Sequence, residues 1–156
     1  MKLSSPPSGF EAKFSGLLRT GSRDFLKPLI TWTEQLSVGV EGIDRQHRHL
    51  MRLINEVDEV VQEGGSYEQF APVLNELIDY TSTHFSNEEE LLEKNHCPEI
   101  GKHKNAHVLL LEELLDWKEK AERINVEDLR EHMIFLRIWF PGHILGVDKK
   151  HADYLT

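Results

Sequence analysis

IDRQHRHLMRLINEVDEVV, residues 43–61, is helical by its spacing. Ile43, His47, Leu50, Ile54, Val57 and Val61 recur at alternating intervals of four and three, which sets them on one stripe of an α-helix. Gly64 and Gly65 end the stretch. One member of the stripe, His47, is out of place on a surface meant for burial.

Downstream the same rhythm returns three times. Phe70 leads into Leu74, Leu77, Thr81, His84, Glu88 and Leu91; Ser66 with Gln69 suits a capping box at the start of this helix, whereas Pro72 suits a first turn. Asn95 to Pro98 closes it. A third stripe runs Ile100, His103, His107, Leu110, Leu114, Trp117 and Ala121, and a fourth, behind an Asn125 cap, runs Leu129, Met133, Leu136, Phe140, His143 and Val147. Four amphipathic helices with short connections predict an all-α, up-down-up-down four-helix bundle over residues 31–156. Residues 1–30, with several Pro and Gly around Phe10, Phe14 and Leu17, read as an N-terminal extension that serves as an arm or linker.

The totals agree with one such domain. A chain of 156 residues buries roughly 70% of its unfolded surface and needs no disulfide, and the single Cys97 reads as a free thiol. No apolar run approaches the roughly 18 residues of a membrane span, and MKLSSPPSGF lacks a secretory core, so a cytoplasmic location is expected. Residues 1–30 carry five Lys or Arg against Glu11 and Asp24, a net +3 that leaves −12 on the rest of the formal −9. An acidic body argues against nucleic acid as the partner.

Histidine is the abundant residue, nine in all. His47, His84, His103, His107 and His143, together with Glu88, lie where Leu and Ile belong. An unpartnered buried polar group costs about 1–3 kcal/mol and a carboxylate more, against a total stability of about 5–15 kcal/mol. A single core histidine bonded to a carbonyl is ordinary, but a set converging from all four stripes needs something to bind its lone pairs. His49, His96, His132 and His151 fall off the stripes and are expected on exposed faces, in a turn or near the C-terminus.

Imidazole and carboxylate suit zinc, iron, copper or nickel, and without a cysteine cluster a structural zinc site is disfavoured. The nitrogens are too many for one ion with an accessible position. Asp148, in HILGVD, lies five residues beyond His143 and beside the stripe at Val147, from which it can reach inward. If two carboxylates and a solvent-derived oxygen bridge two six-coordinate ions, every coordination position but one is filled. That arrangement suits one small diatomic ligand.

VGVEGIDRQHRHL, HFSNEEELL, HKNAH and WFPGHILGVDKKHADYL together resemble the hemerythrin family, specifically the bacterial hemerythrins, over residues 31–156. The resemblance implies two iron ions cycling between Fe2+ and Fe3+ with an oxo or hydroxo bridge. It places His103, His107 and His143 on one ion, His47 and His84 on the other, and Glu88 and Asp148 between them. It further implies reversible dioxygen binding at the two-histidine iron, for storage, delivery or sensing rather than catalysis. Phe85, Trp139, Phe140 and Ile144 neighbour these positions and are the expected wall of a dry oxygen pocket.

WFPGH departs from the family's commoner pattern, in which leucine follows the tryptophan; Phe140 is bulkier and is expected to narrow access. Pro141 and Gly142 are poor helix-interior residues and are expected to kink the last helix. His151 stands where some relatives carry tyrosine, and no contact with the site is assigned to it. Two alternatives remain at this level. One is a di-iron oxidase or peroxidase, against which stands the four-carboxylate pattern of ferritin-like proteins. The other is an oxygen, redox or nitric oxide sensing module that docks to a protein partner through residues 1–30.

Overall fold

The computed structural model describes residues 27–156. Most of the expected N-terminal arm, including Phe10, Phe14 and Leu17, lies outside the described residues. Four antiparallel helices form the body: α1 (Glu41–Gln62), α2 (Tyr67–Lys94), α3 (Ile100–Lys120) and α4 (Val126–His143). No strand occurs among the described residues, so the all-α bundle predicted from the spacing is what forms. α1 packs on α2 and α4, and α2 packs on α3.

Each helix ends where its sequence dictates. Gly64 takes a φ of 70°, the left-handed value that frees the chain to turn after α1. At the start of α2 the Ser66 N–H donates to Gln69 Oε1 at 2.8 Å, so the capping box sets the boundary and Pro72 lies in the second turn. α2 stops at a left-handed His96, φ 55°. There the His96 N–H donates to Glu93 O and the Cys97 N–H to Leu92 O, the paired bonds of a Schellman turn. Cys97 is buried, so the lone thiol is the apolar plug of that turn. Asn125 caps α4 by accepting the Asp128 N–H at 2.9 Å.

The apolar stripes meet in one core. Leu50, Ile54, Val57, Leu77, Leu114, Trp117 and Leu136 are all at most 2% exposed, each contributing about 1.5–3 kcal/mol by leaving water. The described N-terminal residues close over this core rather than pointing away. Ile30 is buried, its N–H donates to Asn55 Oδ1 at 2.9 Å, and Asn55 Nδ2 donates back to Ile30 O at 2.8 Å. Asp44 on α1 accepts the Val38 N–H at 2.8 Å and the Ser37 hydroxyl at 2.5 Å, which pins the segment carrying Leu36 and Val38.

α4 departs from expectation in one informative way. It carries Pro141 and Gly142 within the helix, runs through to His143 and then widens into a π-helical turn, Ile144–Asp148, followed by a 3-10 stretch, Lys149–Tyr154. In an α-helix, residues five apart point roughly 140° away from each other. A π turn absorbs one extra residue, so His143 and Asp148 come to the same side and Val147 rotates off the stripe to a half-buried position. Such single-turn bulges are where helices interrupt their ladder without breaking.

Candidate metal centre

The candidate donors gather at one end of the bundle, early in α1 and α3 and late in α2 and α4, leaving a mostly apolar interior at the other end. His47, Glu88, His103, His107 and Asp148 are at most 1% exposed, and His84 and His143 are buried beside them. All seven candidate donors predicted from the sequence therefore meet in one place. They form two overlapping groups, Glu88 with His103, His107, His143 and Asp148, and Glu88 with His47 and His84, the donor atoms of each group lying within 4.8 Å of one another.

The atoms sort themselves between the groups. Glu88 Oε1 lies 3.4 Å from both His47 Nε2 and His84 Nε2, while Oε2 lies 3.3 Å from His103 Nε2 and 3.2 Å from His107 Nε2. Asp148 repeats the division: Oδ2 lies 3.2 Å from His47 Nε2, and Oδ1 lies 3.0 Å from the Nε2 atoms of His103 and His143. Each carboxylate thus turns one oxygen to a three-histidine group and the other to a two-histidine group. Every imidazole points inward through Nε2.

Charge makes the same demand. Burial alone would lower the pKa of His47, yet Asp148 and Glu88 against its ring raise it to about 9; His103 rises to about 9 in the same way. For His84, burial prevails over the pull of Glu88 and lowers the value to about 4. Burial works to raise Glu88 and Asp148, but the surrounding histidines hold both well below the ordinary carboxylate range. Two ionised carboxylates at most 1% exposed require positive charge between themselves and the rings.

Metal ions satisfy these atoms better than protons. Nε2 of His47, His107 and His143, Oε1 of Glu88 and both oxygens of Asp148 have no hydrogen-bond partner though fully buried. Donors each about 2.1 Å from a common ion and at right angles to one another stand about 3.0 Å apart, close to the observed N to O distances. The residues fit a pair of ions that share both carboxylates.

Outer contacts fix three of the rings. Gln46 Oε1 lies 2.6 Å from His84 Nδ1, and Glu89 Oε1 lies 2.8 Å from His107 Nδ1. His103 Nδ1 lies 2.9 Å from His151 Nδ1. His151 was expected on an exposed face, in a turn or near the C-terminus and is instead buried; it stands three residues after Asp148, one turn of the 3-10 stretch, and so faces the same side. His132 also departs from expectation: it packs on Trp117 with ring centroids 4.2 Å apart, its side chain only 14% exposed. Gln46 and Glu89 are adjacent in sequence to His47 and Glu88, but no spacing rule marks them as partners.

The four expected pocket residues surround the cluster differently. Phe85 stacks on His107 at 3.6 Å with planes 4° apart, and Trp139, half-buried, stacks on His143 at 4.6 Å and 8°. Phe140 presents an edge to His47 at 6.0 Å, and Ile144 is fully buried next to His143. Phe85 and Phe140, with Leu50, Leu77, Leu110 and Leu136 among others, line an apolar void of about 10 Å³; Trp139 and Ile144 do not reach it.

Residues 38–155 match the family described as the hemerythrin HHE cation binding domain. A bacteriohemerythrin of Stenotrophomonas maltophilia is 30% identical over 126 residues, covering 80% of each chain. One of Methylococcus capsulatus is 29% identical over 129 residues, covering 82% of this chain and 98% of that protein. A solved wild-type hemerythrin superposes with a TM-score of 0.74 at 28% identity, over 81% of this chain and 98% of its own. A leucine-to-tyrosine mutant of hemerythrin superposes with a TM-score of 0.75.

Proposed function

The chain belongs to the hemerythrin family, whose members bind dioxygen at a di-iron centre, and from that premise we propose that it binds dioxygen reversibly, for storage, delivery or sensing. The proposed ligands are His103, His107 and His143 for one iron and His47 and His84 for the other, with Glu88 and Asp148 shared. The observation that carries this reading is the division of both carboxylates, one oxygen to each histidine group. Held there as a pair, ferrous ions would supply the redox chemistry for reversible dioxygen binding.

The chain's own residues do the rest. Gln46 and Glu89, by accepting Nδ1–H, keep the Nε2 atoms of His84 and His107 free to face inward. Phe85 and Trp139 lie flat against His107 and His143 and hold those rings in plane. Phe140, Phe85 and the leucines around the void exclude water from the side of His47 and His84, which protects a bound small molecule from displacement. No helix among the described residues is long and apolar enough to cross a membrane.

A nitrogen-rich donor set with two carboxylates favours binding over turnover, since ferritin-like di-iron centres take four glutamates with paired histidines. Anaerobic reconstitution with ferrous salt tests the reading. Two irons per chain, with a visible band that appears in air and fades on degassing, is the expected result. Uptake of one iron or none, or an irreversible change in air, refutes it.

A further inference from the structure

The outward-facing nitrogen of His103 is satisfied in an unusual way. His103 Nδ1 lies 2.9 Å from Nδ1 of His151, both rings buried. On the far side, His151 Nε2 lies 3.4 Å from Glu99 Oε2, and Glu99 is clasped by Lys150 at 2.5 Å and Lys102 at 3.1 Å. Lys150 first, then Lys102 and His151, hold the Glu99 carboxyl down to about 2, so it stays an ionised acceptor.

Once a metal ion holds His103 Nε2, one arrangement of hydrogens fits this row. Two facing Nδ1 atoms can share one hydrogen and no more. With a metal ion on His103 Nε2, between that nitrogen and the Glu88 and Asp148 carboxylates, the ring's one hydrogen sits on Nδ1 and is donated to His151; the hydrogen of His151 then sits on Nε2 and is donated to Glu99. A surface carboxylate, held by two lysines, thereby dictates through an intervening ring which nitrogen of a buried histidine is bare.

We propose that His151, backed by Glu99, is a positioning residue for the metal centre: it fixes the His103 ring and its tautomer so that Nε2 is committed to iron. The inference rests on the iron-binding reading above. His107 receives the same service directly from Glu89, and His84 from the neutral amide of Gln46. Of these three rings, His103 is the one served through a second imidazole, with Glu99 behind it. Outer partners of this kind govern metal affinity by roughly 10–100-fold.

The test compares His151→Phe, which keeps the bulk and loses the acceptor, with His151→Gln, which can still accept and donate. Each full-length protein is loaded anaerobically with ferrous salt and challenged with a strong ferrous chelator. The His103 N–H is followed in parallel as an exchangeable, iron-shifted proton resonance. His151→Phe should release iron roughly 10–100-fold faster and lose or shift that resonance, and His151→Gln should recover most of both. A His151→Phe protein that holds iron as the wild type does, with the resonance unchanged, overturns the proposal while leaving the iron-binding reading intact. A wild type that takes up fewer than two irons overturns the underlying reading instead. Should His151→Phe fail to fold by circular dichroism, Glu99→Ala at the surface decides: faster release supports the relay, and release at the wild-type rate overturns it.

Discussion

His47 and Asp148 stand 3.2 Å apart, Nε2 to Oδ2, and this contact is how the end of the chain reaches the two-histidine side of the cluster. Its other oxygen serves His103 and His143. Asp148→Asn keeps the shape but presents one oxygen and an amide that cannot act as a second bridging donor. Iron content after gel filtration should fall below two per chain, with affinity reduced by at least about a hundredfold, the upper end of what loss of an outer partner costs. Retention of both irons would remove Asp148 from the proposed ligand set.

Phe140 lies between His47 and the apolar void. Phe140→Leu enlarges that void and costs about 1–2 kcal/mol of stability, less than the 3–5 of a full truncation to alanine. Water then gains access to the cluster, so the air-exposed form should decay to the ferric state several-fold faster, followed by its visible spectrum. An unchanged decay rate and oxygen affinity would show that Phe140 is core filler.

His132 is expected to make stability depend on pH. Burial against Trp117 lowers its pKa from the ordinary 6.5 to about 4, with Asp128 and Asp116 opposing only in part. Between those values the unfolded chain binds the extra proton, so stability is fully present above pH 6.5 and is lost as pH falls towards 4. In iron-loaded protein, where the donor histidines are engaged, Tm should drop between pH 6.5 and 5, and His132→Gln should flatten that slope. Parallel slopes in the two proteins would rule His132 out as the source.

Asn55 ties the incoming segment to α1 through two hydrogen bonds with Ile30. Asn55→Ala strands both backbone groups and should lower stability by about 1–3 kcal/mol in a denaturant titration. Iron stoichiometry should remain at wild-type level, because the contact lies at a distance along α1 from His47. Loss of iron in this variant would mean that the segment helps to assemble the centre.

The four helices and six of the seven candidate donors were legible because a polar residue on an apolar stripe violates a simple periodic rule. Asp148 broke no such rule; as an α-helix the sequence put Val147 on the stripe, and the π turn that swaps the two has no clear local signature beyond the nearby Pro141 and Gly142. His151 lies four residues beyond Val147, one α-helical turn on, so its burial follows from extending the stripe past Val147. At the end of α2 the pattern selected Leu91, whereas Leu92, one turn beyond Glu88, is the fully buried residue. Gln46 and Glu89 act through hydrogen bonds across helices, which one-dimensional spacing does not encode.

The extra residue wound into Ile144–Asp148 has a dynamic consequence. Its widened ladder holds its shape through what grips it from outside: Asp148 in the cluster, Leu155 in the core, and Asn95 Nδ2 donating to the carbonyls of Tyr154 and Thr156. With Asp148 unanchored by metal, one of those grips slackens, and residues 144–156 become the segment whose amides exchange with deuterium first. Cation loading would then register as slowed exchange in the last thirteen residues, a tail that tightens like a drawstring while the rest of the bundle stays still.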